Sequence, residues 1–186
     1  MPGEELNVKE GKELLNLARE TIEGNFSGEK PDMPEGEKFD QKKGVFVTLK
    51  KDGELMGCVG LPYPVLPLKK AIMKAAKSAA FEDPRFEGIE EEEVEDISIE
   101  ISTLTMPKAC KPKDIELGEE GLICNYEGYS GLLLPQVAID QGMEKEEFIE
   151  AVCKKAKLPK DIWQEDNCKF YKFRCQIFSE DGDSRK

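Results

Sequence analysis

The 186-residue chain contains no histidine. That absence removes Ser-His-Asp and Cys-His nucleophile pairs, imidazole metal ligands and the usual general base near neutral pH. Any catalysis must therefore rely on carboxylates, lysines, a thiolate or a cofactor brought from outside. The six cysteines, Cys58, Cys110, Cys124, Cys153, Cys168 and Cys175, include no Cys-x-x-Cys pair. A zinc site of the usual kinds lacks its ligand set, and no metal ligands are assigned. No apolar run approaches membrane-spanning length. Met1-Pro2-Gly3-Glu4-Glu5 lacks the basic and apolar regions of a signal peptide, so the expectation is a thiol protein of a reducing cytoplasm. Arginine is scarce, with Arg19, Arg85, Arg174 and Arg185 the only ones among 27 basic residues. Against these stand 39 acidic residues, giving a net charge of -12 that repels nucleic acid and anionic membrane in bulk. The basic residues are dispersed and no aromatic-basic motif occurs, so nucleic acid is not an expected partner.

What is present centres on Leu55-Met56-Gly57-Cys58-Val59-Gly60, a cysteine between two glycines. Glycine on both sides lets backbone or ligand approach the sulfur closely. Val45 to Lys50 reads as a strand, and Asp52-Gly53 favours a type I′ turn into a second strand. A two-residue turn pairs Lys51 with Glu54 and sets Cys58 opposite Val47, on the apolar face with Val45, Leu49 and Met56. Read that way, Cys58 is either a buried small hydrophobe or a reactive thiol. Arg85, inside Asp83-Pro84-Arg85-Phe86, is a candidate bidentate anion ligand, or else ties its loop to a nearby carboxylate.

The remaining pattern alternates helix and strand signals. Asn7 opens a capping-box-like start to an amphipathic helix carrying Leu14, Leu15, Ala18 and Ile22 through about Gly24. Residues 25 to 43 read as a loop anchored by Phe26, Met33 and Phe39. The prolines of Leu61 to Pro67 enforce an extended crossing, followed by an alanine-rich helix from about Pro67 to Phe81. Glu90 to Glu93 is a solvated acidic turn. Ile97, Ile99 and Ile101 alternate with Ser98, Glu100 and Ser102, so Glu100 and Ser102 project from the face opposite the isoleucines, into solvent or a cleft. Further on come a hairpin from Leu122 to Leu134 turning at Glu127-Gly128, a helix from about Glu144 to Ala156 and a final strand from about Cys168 to Phe178. Ser179 to Lys186 is expected to fray.

Several stretches in order resemble the AMMECR domain family, as an archaeal member would: Val47-Thr48-Leu49, LMGCVG, Ala79 to Phe86, Ile99-Glu100-Ile101-Ser102, Leu132 to Val137, and Lys155 to Pro159 with Trp163. The resemblance runs from the first helix to the last strand. It implies an α+β fold with an antiparallel β-sheet and packed helices, in two unequal subdomains of one compact unit spanning 1–178, followed by a flexible tail at 179–186. The family carries no settled reaction. Its prokaryotic genes often accompany those for Memo-type proteins and radical S-adenosylmethionine enzymes, which implies such partners without naming a cofactor. One departure is Met56, where the family pattern carries an arginine.

Two functions from different classes follow. The first is a cytoplasmic enzyme or enzyme component with Cys58 as nucleophile or redox thiol, Glu100 or Asp83 relaying protons and Arg85 holding an anionic substrate. Gly57, Gly60, Ser102 and Gln136 complete the candidate binding set. The second is a noncatalytic module that binds a protein partner.

Overall fold

A computed structural model describes residues 5–182 and divides into two units, one spanning 1–104 with 176–186 and the other 105–175. Each unit holds a four-stranded sheet with helices and its own hydrophobic core, which makes the protein α+β.

The first unit begins with α1 (Val8–Ser27). Asn7 accepts from the Glu10 N–H while the Glu10 carboxylate accepts from the Asn7 N–H, closing the expected capping box. Gly28, at φ 78°, ends the helix in the left-handed conformation that glycine adopts without steric cost. The short α2 (Glu37–Asp40) buries Phe39, and Phe26 packs edge-on against Phe81. Met33, the third expected anchor, is instead exposed. Its chain segment is held from elsewhere, by the Asp32 N–H donating to Glu20.

β1 (Gly44–Lys51) and β2 (Glu54–Leu61) form the expected hairpin, with Asp52 and Gly53 both at positive φ as a type I′ turn requires. β3 (Ile97–Leu104) pairs antiparallel with β1, and with the last strand, β8 (Cys175–Ser179), the order is β2-β1-β3-β8. α3 (Leu68–Phe81) follows the proline-rich crossing, and its small residues Ala71, Ala75, Ala76, Ala79 and Ala80 are buried. Arg19 ties this unit together by donating to the Val94 and Ile97 carbonyls and to both carboxylate oxygens of Glu180. Glu180, assigned from the sequence to the frayed tail, is thus held by Arg19 and also accepts from the Ile99 N–H. The tail's residues 183–186 lie outside the described residues.

The second unit contains β4 (Lys108–Cys110), β5 (Gly121–Tyr126), β6 (Tyr129–Leu133) and β7 (Lys169–Phe173), in the order β4-β7-β5-β6. The β5–β6 turn at Glu127-Gly128 again uses two positive φ angles. α4 (Gln136–Asp140) is short, and α5 (Lys145–Lys155) starts at a Glu144–Glu147 capping box and buries Phe148, Ile149, Val152 and Cys153. The single final strand expected over Cys168 to Phe178 is two strands, β7 and β8 (Cys175–Ser179), in different sheets. The break falls at Arg174, whose N–H donates to the Thr105 hydroxyl and whose carbonyl accepts from the Thr105 N–H. Alternation carries straight through Tyr171 to Ile177, so periodicity alone gives no sign of the break.

Candidate functional site

One extra residue in β2 decides where Cys58 points. β1 and β2 pair as expected near the turn, with Lys51 opposite Glu54 and Lys50 opposite Leu55. The next pair is Leu49 with Gly57, so Met56 is a β-bulge and every later residue of β2 is shifted by one. A one-residue shift moves a side chain to the other face. Cys58 therefore lies opposite Thr48, not Val47, and leaves the apolar face to Val45, Val47 and Leu49. The Met56 side chain packs against the core. Cys58 is partly exposed.

The shift assembles a row across three strands, because Thr48 lies opposite both Cys58 on β2 and Glu100 on β3. The Thr48 hydroxyl donates to Cys58 Sγ at 3.3 Å, which leaves the thiol's own proton directed elsewhere. Glu100 Oε2 accepts from Lys50 Nζ at 3.1 Å. Glu100 and Cys58 are separated by the whole of β1, roughly 9–10 Å between backbones, and are not hydrogen-bonded to each other among the described residues. In a second row Phe46 lies between Gly60 and Ser102, and Ser102 is buried.

The backbone of Cys58 is held from outside the sheet. β2 is an edge strand, and the Cys58 N–H and carbonyl are bonded away from β1. The N–H donates to Asp83 Oδ2 at 2.9 Å, and the carbonyl accepts from Arg85 Nη2 at 3.0 Å. Asp83 and Arg85 also grip each other, Nε to Oδ1 at 3.0 Å and Nη2 to Oδ2 at 2.7 Å. The Arg85 guanidinium, aided by the backbone N–H groups of Cys58 and Arg85, overcomes burial and holds the Asp83 carboxyl well below the usual carboxylate range. A carboxylate so held stays ionised near neutral pH, so Asp83 positions Cys58 and is a poor proton relay. Among the described residues no hydrogen bond engages Nη1 of the half-exposed Arg85, whose guanidinium lies 5.3 Å from the Phe86 ring centroid.

Both glycines of LMGCVG have internal reasons. A Cβ on Gly57 would lie 2.1 Å from the Ala79 carbonyl oxygen, so α3 packs directly on the strand there. A Cβ on Gly60 would lie 2.3 Å from the Phe46 ring. The close approaches that glycine permits are those of helix and ring. Gln136 belongs to the second unit, where its Oε1 accepts from Cys175 Sγ at 3.9 Å, and it joins neither row. Thr48 and Lys50 are the site residues that the sequence did not mark. Alternation places them on the Glu100 face, but nothing in composition assigns Cys58 to that face without the bulge.

The other cysteines sit differently. Cys124 and Cys153 are fully buried and Cys175 is buried, while Cys110 and Cys168 are partly exposed thiols that burial pushes up. Among the described residues no group of three or more His, Cys, Asp and Glu is arranged to hold a metal ion, and no helix is long and apolar enough to cross a membrane.

A family model described as AMMECR1 matches residues 15–178. A protein of Methanothermobacter thermautotrophicus is 43% identical over 95% of this chain and 97% of its own length. One of Methanopyrus kandleri is 44% identical, covering 96% and 92%. The crystal structure of an uncharacterized protein from Pyrococcus horikoshii superposes with a TM-score of 0.88 at 39% identity, covering 94% of this chain and 93% of that one.

Proposed function

The chain belongs to the AMMECR1 family, and from that premise we propose that it is a cytoplasmic enzyme, or a component of one, whose partly exposed Cys58 acts as a nucleophile. The observation that carries this reading is the Met56 bulge, which turns the sulfur away from the core while Asp83 and Arg85 fix both backbone groups of the same residue. Nucleophilic catalysis requires a sulfur that substrate can reach and a backbone that does not drift. In this reading Asp83 is a positioning residue and the Nη1 edge of Arg85 takes an anionic group of the substrate. Glu100 serves as the proton acceptor on the same sheet face, reached through a water, while the Thr48 hydroxyl donates to the sulfur and favours its thiolate. Gly57, Gly60 and Ser102 shape the strand face around the thiol.

Limited alkylation of the native protein tests the reading. Access and thiolate fraction together set the rate, so iodoacetamide at mildly acidic pH should label Cys58 before the other five cysteines, as read by peptide mapping. Indiscriminate labelling, or labelling of Cys110 or Cys168 first, removes Cys58 as the nucleophile. Full turnover by a folded Cys58→Ser variant, reconstituted with companion proteins, would do the same.

A second reading, a noncatalytic module that engages a Memo-type or radical S-adenosylmethionine protein, is favoured by apolar side chains left exposed close in sequence to Cys58: Leu55 on β2, and Tyr63 and Val65 in the crossing that follows. Under it Cys58→Ser preserves partner binding.

A further inference from the structure

Three of the six cysteines converge in the core of the second unit, from three different elements. Cys124 is on β5, an interior strand of its sheet, Cys153 is on α5, and Cys168 is in the connection just before β7. Cys124 Sγ lies 3.4 Å from Cys168 Sγ, in mutual thiol contact, and Cys124 also hydrogen-bonds with Cys153. A disulfide has an S–S bond of about 2.05 Å, so bonding Cys124 to Cys168 requires the sulfurs to close by roughly 1.4 Å. The two ends differ in the freedom they have to move. Cys124 is buried and flanked by ladder pairs, Ile123 with Leu132 and Tyr171 on one side and Asn125 with Ser130 and Lys169 on the other. Cys168 lies outside the ladder, held by one backbone bond to the Glu165 carbonyl, and is the partly exposed member of the three.

We propose that Cys124 and Cys168 are a thiol–disulfide pair, oxidised reversibly by a peroxide that enters at Cys168. The electrons balance in two steps. Cys168 is oxidised to a sulfenic acid while hydrogen peroxide is reduced to water. The Cys124 sulfur then attacks the sulfenic sulfur, forming the S–S bond and releasing a second water. A thiol such as dithiothreitol returns both cysteines by exchange. Cys153 is a fully buried third thiol in contact with Cys124, whereas Cys168 is the partly exposed one.

The switch acts on a surface cleft. The connection that ends at Cys168 carries Asp166 and Asn167, which face Tyr126, Tyr129 and Ser130 of the β5–β6 hairpin across a cavity of about 490 Å3. Drawing Cys168 toward β5 moves that wall and holds it with a covalent link instead of a backbone turn. This inference does not depend on Cys58, which lies in the other unit.

The test uses the intact protein treated with a modest excess of hydrogen peroxide and digested without reduction. The expected product is a cross-linked peptide pair joining Cys124 to Cys168, with loss of two hydrogens, restored by dithiothreitol. The melting temperature of the oxidised protein should rise relative to the reduced one, and a Cys168→Ser variant should show no such rise. Unlinked Cys124 and Cys168 after treatment, or a link from Cys124 to Cys153, overturns the proposal. The mapping stands without the variant if Cys168→Ser folds poorly. Labelling of Cys58 in the same digest is read separately, so loss of the nucleophile leaves the pair intact and the reverse also holds.

Discussion

The two units solve one packing problem in the same way and then dispose of their cysteines in opposite ways. In each, a helix backbone rests directly on a strand glycine: the Ala79 carbonyl of α3 on Gly57 in the first unit, and Val152 and Ala156 at the end of α5 on Gly131 in the second. Beyond that contact they diverge. In the first unit the residue after the glycine, Cys58, follows a bulge and points to a partly exposed face. In the second unit no register shift interrupts β5 and β6 from Leu122 to Tyr126, and Cys124, opposite Gly131, points into the core against two other thiols. A cysteine beside a glycine is therefore not informative by itself. The register of the strand decides whether the sulfur is partly exposed or part of the core.

The largest effect should come from removing the shared feature. Gly57→Ala and Gly131→Ala each place a methyl group within 2.4 Å of helix backbone, at Ala79 and Ala156 respectively. Backbone cannot rotate away as a side chain can, so each should cost ~3 kcal/mol or more in chemical denaturation. If Gly57→Ala proves neutral, the glycines of LMGCVG are not packing residues, and a ligand becomes the better reason for them.

The next largest effect is expected at the Asp83–Arg85 clamp of the first unit, whose counterpart in the second is Glu120 with Lys172. Asp83 is buried and takes four hydrogen bonds from Cys58 and Arg85. Asp83→Asn removes the charge that faces Arg85 and should destabilise by ~2–3 kcal/mol at pH 7, less than a fully buried pair because Arg85 is half exposed. The folded-state pKa of Asp83 lies below its unfolded value. Its contribution is therefore fully present above the usual carboxylate range and is lost as pH falls below about 4. The gap between parent and variant should narrow in acid, and a gap that stays constant from pH 7 to pH 3 would contradict the assignment. In the second unit Glu120 is the matching group. Burial pushes it up, but the Glu116 N–H and the Lys172 ammonium overcome this and lower it, so Glu120→Gln should show the same sign of pH dependence.

How much of this was legible varies with the range of the interaction. The turns at Asp52-Gly53 and Glu127-Gly128 and the Asn7–Glu10 cap are local chemistry, readable from residues at most three apart. Asp83, Arg85, Glu100 and Ser102 stood out by residue type and alternation, and the structure brings the first two to the backbone of Cys58 and the others onto its sheet face. The bulge was not legible, because what it accommodates is distant in sequence: Met56 packs into the core and Gly57 meets Ala79. The expected face of Cys58 was wrong for that reason, and Thr48 and Lys50 went unmarked with it. The break at Arg174 was hidden for a similar reason, since its partner is Thr105, 69 residues away.

A smaller effect is expected at Arg85. Arg85→Lys keeps the charge but loses the fork that reaches Asp83 and the Cys58 carbonyl together, and on a half-exposed side chain that should cost ~1 kcal/mol. If the variant also labels at Cys58 at the parent's rate, the clamp supports the fold but not the position of the thiol.

The smallest stability change should come from Thr48→Val, and its value lies in separating the thiol from the strand that bears it. Thr48 is partly buried, so replacing the hydroxyl with a methyl of similar volume removes one weak hydrogen bond to sulfur and should cost ~1 kcal/mol or less. Valine is at least as good a strand residue as threonine, so the bulge and the Cys58 backbone bonds should survive. The Thr48 hydroxyl nevertheless donates to Cys58 Sγ at 3.3 Å, from the strand that lies between that sulfur and Glu100. If the row works as a unit, Thr48→Val should slow alkylation of Cys58 several-fold while leaving the labelling of Cys110 and Cys168 unchanged, because neither belongs to that sheet. An unchanged Cys58 rate in a folded Thr48→Val protein would mean that the Thr48 hydroxyl does not stabilise the thiolate, and the alignment of Cys58, Thr48 and Glu100 would then be a matter of strand pairing alone.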